Sequence, residues 1–213
     1  MTDRERLGQR AFEFSEGLWR QGDVWEFDTS EFERARWARL IEVLDNARYP
    51  SALELGCGGG HFTRLLTRVA DRIVAFDIAP SAIAHARAAE TGATTIDYRV
   101  GNAMDYGWRA DGPWDLVVMN ETICYLGWLY PFFDIGWFAS EIHAAVRPGG
   151  RFLMANSMDT QYDKLLLPYI IRTYRDLFLN VGFALAREET FSGTKHGVRF
   201  DVLISLFEKP LQG

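Results

Sequence analysis

Four glycines crowd the stretch LELGCGGGHFT at residues 53–63, between an apolar run and the start of a predicted helix. A glycine just after a strand adopts backbone angles closed to other residues and has no Cβ to block a ligand. Gly56, Gly58 and Gly60 fit that role. The dinucleotide motif GxGxxG needs a third glycine where this chain has His61, a side chain where a pyrophosphate requires bare amides. The spacing therefore argues against a dinucleotide.

An acid follows the next apolar run, IVAFD, about 20 residues after the first glycine. At the end of a second strand, Asp77 can accept hydrogen bonds from both hydroxyls of a ribose. A ribose without a pyrophosphate indicates a nucleoside ligand. The alternative is that the glycines only make a tight turn and that Asp77 caps a helix beginning near Pro80.

Short apolar runs alternate with helix-like segments along the chain, which predicts βαβ units in a doubly wound, mostly parallel sheet within one domain of residues 1–213. Ligands of such sheets lie at the carboxyl ends of the strands. Two final runs, FALAREETF and RFDVLISLFEK, predict a hairpin through SGTKHG, and residues 126–146 predict one long helical segment. The five runs predicted as parallel strands are SALEL at 51–55, RIVAF at 72–76, TIDYRV at 95–100, DLVVM at 115–119 and RFLMAN at 151–156.

Three further motifs follow in order: GNAMDY at 101–106, WDLVVMNE at 114–121 and VRPGGRFLMAN at 146–156. Over residues 50–156 the set resembles the class I S-adenosylmethionine-dependent methyltransferases. DVWEFDTSEFERAR at 23–36 and RFLMANSMDTQYDK at 151–164 are similar to the nodulation N-methyltransferases, the NodS group. The resemblance implies a Rossmann-like seven-stranded sheet with an antiparallel last strand, a core over residues 48–213 and an N-terminal helical lid over residues 1–47.

The resemblance also implies a site for S-adenosylmethionine. Many family members have an aspartate where this chain has Asn102, whose carbonyl can still accept a hydrogen bond from the adenine amine. His61 is expected to contact the cofactor carboxylate. The implied positions are Gly56, Gly58 and Gly60 at the methionine arm, Asp77 and Ile78 at the ribose and adenine, Asn102 and Ala103 at the adenine edge, Asn120 near the sulfonium, and Trp25 and Arg36 reaching in from the lid.

Methyl transfer needs a lone pair on the acceptor, so an alkyl ammonium must first lose a proton. Glu121, after the fourth strand, is the first candidate: it either holds the ammonium and helps the proton leave or braces the next segment. Tyr125 either offers its oxygen to the sulfonium methyl or packs in the core. Asp159 is a further candidate, and His196 is expected to be a solvated turn residue.

Two aromatic segments have open roles. Trp25 and Phe27 stand among acids before an amphipathic helix and either close over a ligand or pack that helix on the sheet. GWLYPFFDIGWF at 127–138 holds six aromatic residues and lines an acceptor pocket, fills the core or forms a dimer contact.

Composition excludes other classes of function. The net charge is −6 with basic residues interspersed among acids, so a nucleic-acid partner is not expected. Cys57 and Cys124 are the only cysteines and no His/Cys cluster has ligand spacing, so neither a disulfide framework nor a metal site is expected. Without a signal peptide or a membrane-length apolar run, the chain is expected to be a cytoplasmic monomer or homodimer.

The leading hypothesis is an N-methyltransferase acting on an amino group of a small molecule, an amino-sugar among them. The alternatives are a small-molecule O-methyltransferase, a non-catalytic S-adenosylmethionine-binding module and, disfavoured by His61, a nicotinamide-dependent enzyme.

Overall fold

A computed structural model describes residues 2–44, 47–90, 95–159 and 164–211. Within these ranges seven strands form one sheet in the order β3-β2-β1-β4-β5-β7-β6. Strands β1 to β5 pair in parallel, and β7 runs antiparallel to both β5 and β6. This confirms the predicted fold class. The strands are β1 (Tyr49–Leu55), β2 (Ala70–Asp77), β3 (Ile96–Val100), β4 (Trp114–Asn120), β5 (Val146–Met158), β6 (Ala184–Lys195) and β7 (Val198–Glu208).

Helices cover both faces of the sheet, because the inner strands are apolar on both sides. In β1, Leu53 and Leu55 pack on one face with Phe138 of α6, whereas Ala52 packs on the other face with Leu40 of α2. The helices are α1 (Asp3–Trp19), α2 (Glu31–Val43), α3 (His61–Leu66), α4 (Pro80–Ala88), α5 (Ile123–Leu129), α6 (Phe132–Ala145) and α7 (Pro168–Asn180).

The long segment predicted over residues 126–146 is broken into α5 and α6. Tyr130 ends α5 in an extended conformation (φ −114°, ψ 151°), and Pro131 precedes α6. A residue before proline is disfavoured in the helical region, so the break follows from the Tyr-Pro step. The prediction of one continuous helical segment was wrong at this point.

The C-terminal hairpin forms as predicted, but its turn is shorter. SGTK belongs to β6, and only His196 and Gly197 make the turn, with φ angles of 52° and 75°. Two left-handed residues are the geometry of a type I′ turn, whose twist matches that of the flanking strands. The short turn carries His196 at its tip, directly after Lys195, the last residue of β6.

The N-terminal helix α1 is fastened to the core at its last turns. Glu16 accepts hydrogen bonds from the backbone N–H (3.0 Å) and hydroxyl (2.6 Å) of Ser81, in the first turn of α4. The Ser81 hydroxyl is the main reason why the pKa of Glu16 is lowered. This contact fixes the end of α1 beside the strand end that carries Asp77.

No helix within the described ranges is long and apolar enough to cross a bilayer. Residues 160–163, part of the segment that resembles the NodS group, lie outside the described ranges. The division into a lid and a core, the cytoplasmic location and the choice between monomer and homodimer stay predictions.

Candidate active site

One cavity of about 630 Å³ opens at the carboxyl ends of the strands. The candidate cofactor and catalytic positions line it, with the exceptions of Gly60 and Asp159. The candidates that line it are Trp25, Arg36, Gly56, Gly58, His61, Asp77, Ile78, Asn102, Ala103, Asn120, Glu121 and Tyr125.

The glycine loop is a tight turn packed from two sides. Gly58 has a φ of 53°, and a Cβ on it would lie 2.5 Å from Cζ2 of Trp19, the last residue of α1. A Cβ on Gly60, at φ 75°, would lie 2.6 Å from the hydroxyl of Tyr98. Gly58 thus makes room for the N-terminal helix over the loop. Gly60 makes room for a buried tyrosine, which explains why it does not face the cavity.

Asp77 holds this loop and also faces the cavity. Its Oδ2 accepts a hydrogen bond from the Gly58 N–H and its Oδ1 accepts one from the Ala79 N–H, both at 2.9 Å. Burial raises the pKa of the carboxyl. A carboxylate has about four acceptor positions, so these two backbone contacts leave capacity for ribose hydroxyls. The capping and ligand roles considered for Asp77 are therefore compatible.

Glu54, which sequence reasoning missed, lies in β1, the strand next to the one that Asp77 ends. It lines the cavity, is 2% exposed, and its Oε2 has no hydrogen-bond partner among the described residues. Burial, aided by the charge of Asp77, raises the pKa of Glu54 to about 8. The available signal was an acid inside a strand whose neighbours are buried on both faces.

Asn102 is held by contacts at both atoms of its amide. Its Oδ1 accepts a hydrogen bond from the Met104 N–H at 3.0 Å, and its Nδ2 donates one to the Tyr130 hydroxyl at 2.8 Å. The first contact caps the 3₁₀ turn Ala103–Asp105. The carbonyl keeps a second lone pair, so the proposed adenine contact stays a prediction with an acceptor in place.

Glu121 is fixed in position by two neighbours. Its Oε1 accepts hydrogen bonds from Arg36 Nη1 (3.0 Å) and from the Ser157 hydroxyl (2.8 Å), and the Ser157 N–H reaches both carboxylate oxygens at 2.9 and 3.0 Å. Burial raises the pKa of Glu121, and the charge of Arg36 opposes that rise. The side chain is therefore braced, and it also lines the cavity.

Arg36 is the buried cation at the centre of these contacts. Its Nε donates to Oε2 of Glu33 at 2.9 Å, and its Nη1 donates to Oδ1 of Asn120 at 2.7 Å as well as to Glu121. The guanidinium is 2% exposed. Helix α2 thus contacts the carboxyl end of β4 through one side chain.

The tip of the C-terminal hairpin completes the cavity wall. Lys195 Nζ donates to the Trp25 carbonyl and lies 3.4 Å from Oε1 of Glu33. His196 is 70% exposed, in line with its expected solvated turn position, yet its Nε2 lies 2.5 Å from Oε2 of Glu26 and the residue lines the cavity. Neither contact has a local sequence signal, because the partners are far apart in the chain.

Aromatic rings cover the glycine loop. Trp25 stacks on Phe27 (ring centroids 5.5 Å apart) and also contacts Trp19. His61 stacks on Trp37 at 5.6 Å, and its Nε2 lies 2.8 Å from Oδ1 of Asp28, a contact that lowers the pKa of Asp28. These residues pack together and line the cavity, so the packing role is present. Their contacts with a cofactor stay predictions.

The remaining aromatic candidates separate into wall, core and surface. Tyr125 lines the cavity with its ring 5.7 Å from that of Phe14. In the 127–138 stretch Tyr130 and Phe138 are buried, and the described part of the cavity wall takes none of its six aromatic side chains. That stretch therefore contributes no aromatic ring to this cavity, whereas Tyr130, Phe133 and Trp137 line a second, smaller cavity of about 320 Å³. The exposed rings of the stretch are Trp128, Phe132, Phe133 and Trp137.

A family of known proteins matches the central part of the chain. A family model described as a methyltransferase domain matches residues 53–154, the part of the chain that holds the glycine loop, Asp77 and the β4 and β5 strands. Over these residues the chain is similar to methyltransferase domains, in agreement with the motifs that resemble the class I S-adenosylmethionine-dependent methyltransferases.

Within that class the similarity is to the NodS group. Nodulation protein S of Rhizobium tropici is 30% identical over 142 residues, which are 64% of this chain and 56% of the relative. Nodulation protein S of Sinorhizobium fredii is 26% identical over 141 residues, 64% of this chain and 62% of the relative. The chain thus spans somewhat more than half the length of these relatives.

A solved structure matches over nearly the whole chain. It is that of N-methyltransferase NodS from Bradyrhizobium japonicum WM9 in complex with S-adenosyl-L-homocysteine, with a TM-score of 0.78 and 20% identity, covering 94% of this chain and 98% of that one. At this identity the match shows the fold, including the N-terminal and C-terminal elements beyond the family model.

Proposed function

We propose that the protein transfers a methyl group from S-adenosylmethionine to an amino group of a small molecule, an amino-sugar among the possible acceptors. The observation that carries the proposal is the division of the cavity at the carboxyl ends of the strands. Most of the cofactor candidates follow β1, β2 and β3, whereas the rest of the cavity wall holds three carboxylates, Glu26, Glu33 and Glu121, and two cationic side chains, Arg36 and Lys195. Glu33 and Glu121 are largely buried and Glu26 is 45% exposed, and three carboxylates beside two cationic side chains suit a cationic amine.

The residues present fit the cofactor. Asp77 keeps free acceptor capacity for ribose hydroxyls, Asn102 keeps one for an adenine amine, and Glu54 has an oxygen without a partner in the described structure beside the loop. The aromatic cover of Trp19, Trp25 and Phe27 would exclude water from this half of the cavity. When bound, S-adenosylmethionine supplies an electrophilic methyl group on a sulfonium, and the electron pair of the broken carbon–sulfur bond stays on sulfur.

The chain's own residues must bind the acceptor and remove its proton. An alkyl ammonium has no lone pair until that proton leaves, and a carboxylate with raised proton affinity is a better acceptor than an ordinary one. Glu121 has such a raised pKa and is held still by Arg36 and Ser157. Tyr125 lies in the same wall and can orient the acceptor. Alignment of the acceptor with the transferred methyl group supplies the rest of the rate enhancement.

The direct test uses methyl-labelled cofactor with a panel of amino-sugars, alkyl amines, phenols and alcohols. We expect label on amines, and a fall of at least about tenfold in kcat for Glu121→Gln with cofactor affinity retained. Glu42→Gln, an exposed site on α2, is the matched control and should keep wild-type rates. Transfer to phenols or alcohols but to no amine would overturn the nitrogen assignment.

An O-methyltransferase is the second candidate. Ubiquinone biosynthesis O-methyltransferase of Methylobacterium sp. (strain 4-46) is 35% identical over 104 residues, although these are 48% of this chain and 39% of that protein. The same panel separates the two acceptor chemistries. A non-catalytic binding module would bind the cofactor tightly and never convert it to the demethylated product with any acceptor.

A further inference from the structure

Asn120 lies at the boundary between the two halves of the cavity. It ends β4, the central strand of the seven, with β1, β2 and β3 on one side and β5, β7 and β6 on the other. Most of the cofactor candidates follow the first group of strands, and Ser157 and Lys195 belong to the second. A polar side chain at this boundary faces the acceptor molecule beside the transferred methyl group of the cofactor.

Arg36 decides which way the Asn120 amide points. A guanidinium has only donors, so the amide atom that contacts Arg36 Nη1 at 2.7 Å must be Oδ1. Arg36 is held in turn by Glu33 and is buried, so it cannot turn away without leaving a buried carboxylate unpaired. The amide nitrogen of Asn120 is therefore directed away from Arg36.

The Nδ2 group donates no hydrogen bond to any residue that the structure describes, although Asn120 lines the cavity. The N–H hydrogens of Asn120 Nδ2 do not suit a sulfonium, because these hydrogens and the sulfonium both carry positive charge. They suit an oxygen. The same Arg36 Nη1 also holds Oε1 of Glu121, so the Asn120 amide and the carboxylate that would hold the amine end lie side by side.

We infer that Asn120 is a specificity-determining residue, which donates a hydrogen bond to a hydroxyl or ether oxygen on the carbon next to the reacting amine. Arg36 is the positioning residue that acts through it. The inference rests on the proposed amine acceptor and narrows it to vicinal amino alcohols and their ethers. A plain alkyl amine fills the same place but leaves the Asn120 donors unpaired, which costs binding.

The experiment compares two probes that differ by one oxygen, trans-2-aminocyclohexanol and cyclohexylamine. Calorimetry on the protein with S-adenosylhomocysteine measures binding without turnover, and initial rates give KM and kcat separately. We expect wild type to bind the amino alcohol roughly tenfold more tightly, the effect of one neutral hydrogen bond.

Two variants remove the donor in different ways. Asn120→Ala removes the side chain and Asn120→Asp keeps its shape but adds a charge, so an effect common to both belongs to the lost donor. Both should bring the affinity ratio of the two probes close to one. Arg36→Lys keeps the charge but loses the planar guanidinium with its several N–H donors. It should reduce the affinity ratio of the two probes through KM. Gln21→Ala, an amide outside the cavity wall, is the control and should keep the wild-type ratio.

The outcomes separate the inference from the function it rests on. A wild-type ratio near one, or a ratio that survives both Asn120 substitutions, overturns the inference even if amines are methylated. A changed affinity for S-adenosylhomocysteine with an unchanged ratio assigns Asn120 to the cofactor and likewise overturns it. If neither probe binds and the label panel yields no methylated amine, the proposed function falls and the inference falls with it.

Discussion

Replacing Glu54 by glutamine should change how the stability of the protein depends on pH. Glu54 is buried beneath the glycine loop, and the pKa of its carboxyl is raised from 4.5 to about 8, first by burial and then by the charge of Asp77. In the unfolded chain this group ionises at its ordinary pKa. Folding therefore requires the carboxyl to bind a proton, or to accept a buried charge, at any pH between the two values.

The direction and size follow from the two pKa values. Below the unfolded value both states are protonated, so the contribution of Glu54 to stability is fully present there, and it is lost as the pH rises towards the folded value. Each pH unit in this window is worth about 1.4 kcal/mol, so the whole window corresponds to on the order of 5 kcal/mol. Between about pH 5.5 and about pH 8 the loss is ~3 kcal/mol. Glutamine does not titrate, so Glu54→Gln should not show this loss.

Chemical denaturation of both proteins across this pH range measures the effect. The difference in unfolding free energy between Glu54→Gln and wild type should grow in favour of the variant as the pH rises. Taking this difference cancels the contributions of the other titrating groups. Glu42→Gln on the exposed face of α2 controls for the substitution itself and should stay within ~0.5 kcal/mol of wild type. A difference for Glu54→Gln that does not change with pH would show that the buried carboxyl is already ionised, and the reasoning from burial would be wrong.

Two other predictions test the loop. Asp77→Ala should weaken S-adenosylmethionine binding by at least tenfold, about 1.4 kcal/mol, and Asp71→Ala, an exposed site on the same strand, should leave it unchanged in calorimetry. Unaltered binding by the Asp77 variant would remove the ribose assignment. Gly58→Ala should destabilise the protein by roughly 1–3 kcal/mol, because its Cβ meets Trp19 and its φ is positive. Gly17→Ala, inside α1 with open space around it, should stabilise it by ~0.5–1 kcal/mol; equal thermal-denaturation effects would contradict both assignments.

The sheet and the loop could be predicted from sequence because their causes are local. A run that is apolar on both faces forms a buried strand wherever helices flank it, and LELGCGGGHFT must turn sharply whatever lies around it. The same holds for the break before α6, which the Tyr130-Pro131 step specified, although the prediction of one continuous segment overlooked it. Local chemistry thus accounts for the strand ends that carry the candidate site.

The partners of the site residues could not be predicted, because they come from distant parts of the chain. Arg36 is 85 residues from Glu121, and Lys195 is 162 residues from Glu33. Such contacts depend on how α2 and the C-terminal hairpin pack over the strand ends, and no periodicity reports that packing. Gly60 shows the same limit. Its residue type and spacing matched a ligand-binding loop, but the space beside its Cα is occupied by the buried Tyr98.

These distant contacts alter the choice that the sequence left open for Glu121. Bracing and proton transfer were alternatives there, but Arg36 is already paired with Glu33, so its single charge is shared between two carboxylates. The pKa of Glu121 is accordingly raised by burial rather than lowered by its ion pair. A carboxylate that Ser157 and Arg36 hold still, yet whose affinity for a proton is above normal, meets both requirements of a base for an ammonium. The bracing contacts therefore support the proposed chemical role of Glu121 instead of competing with it.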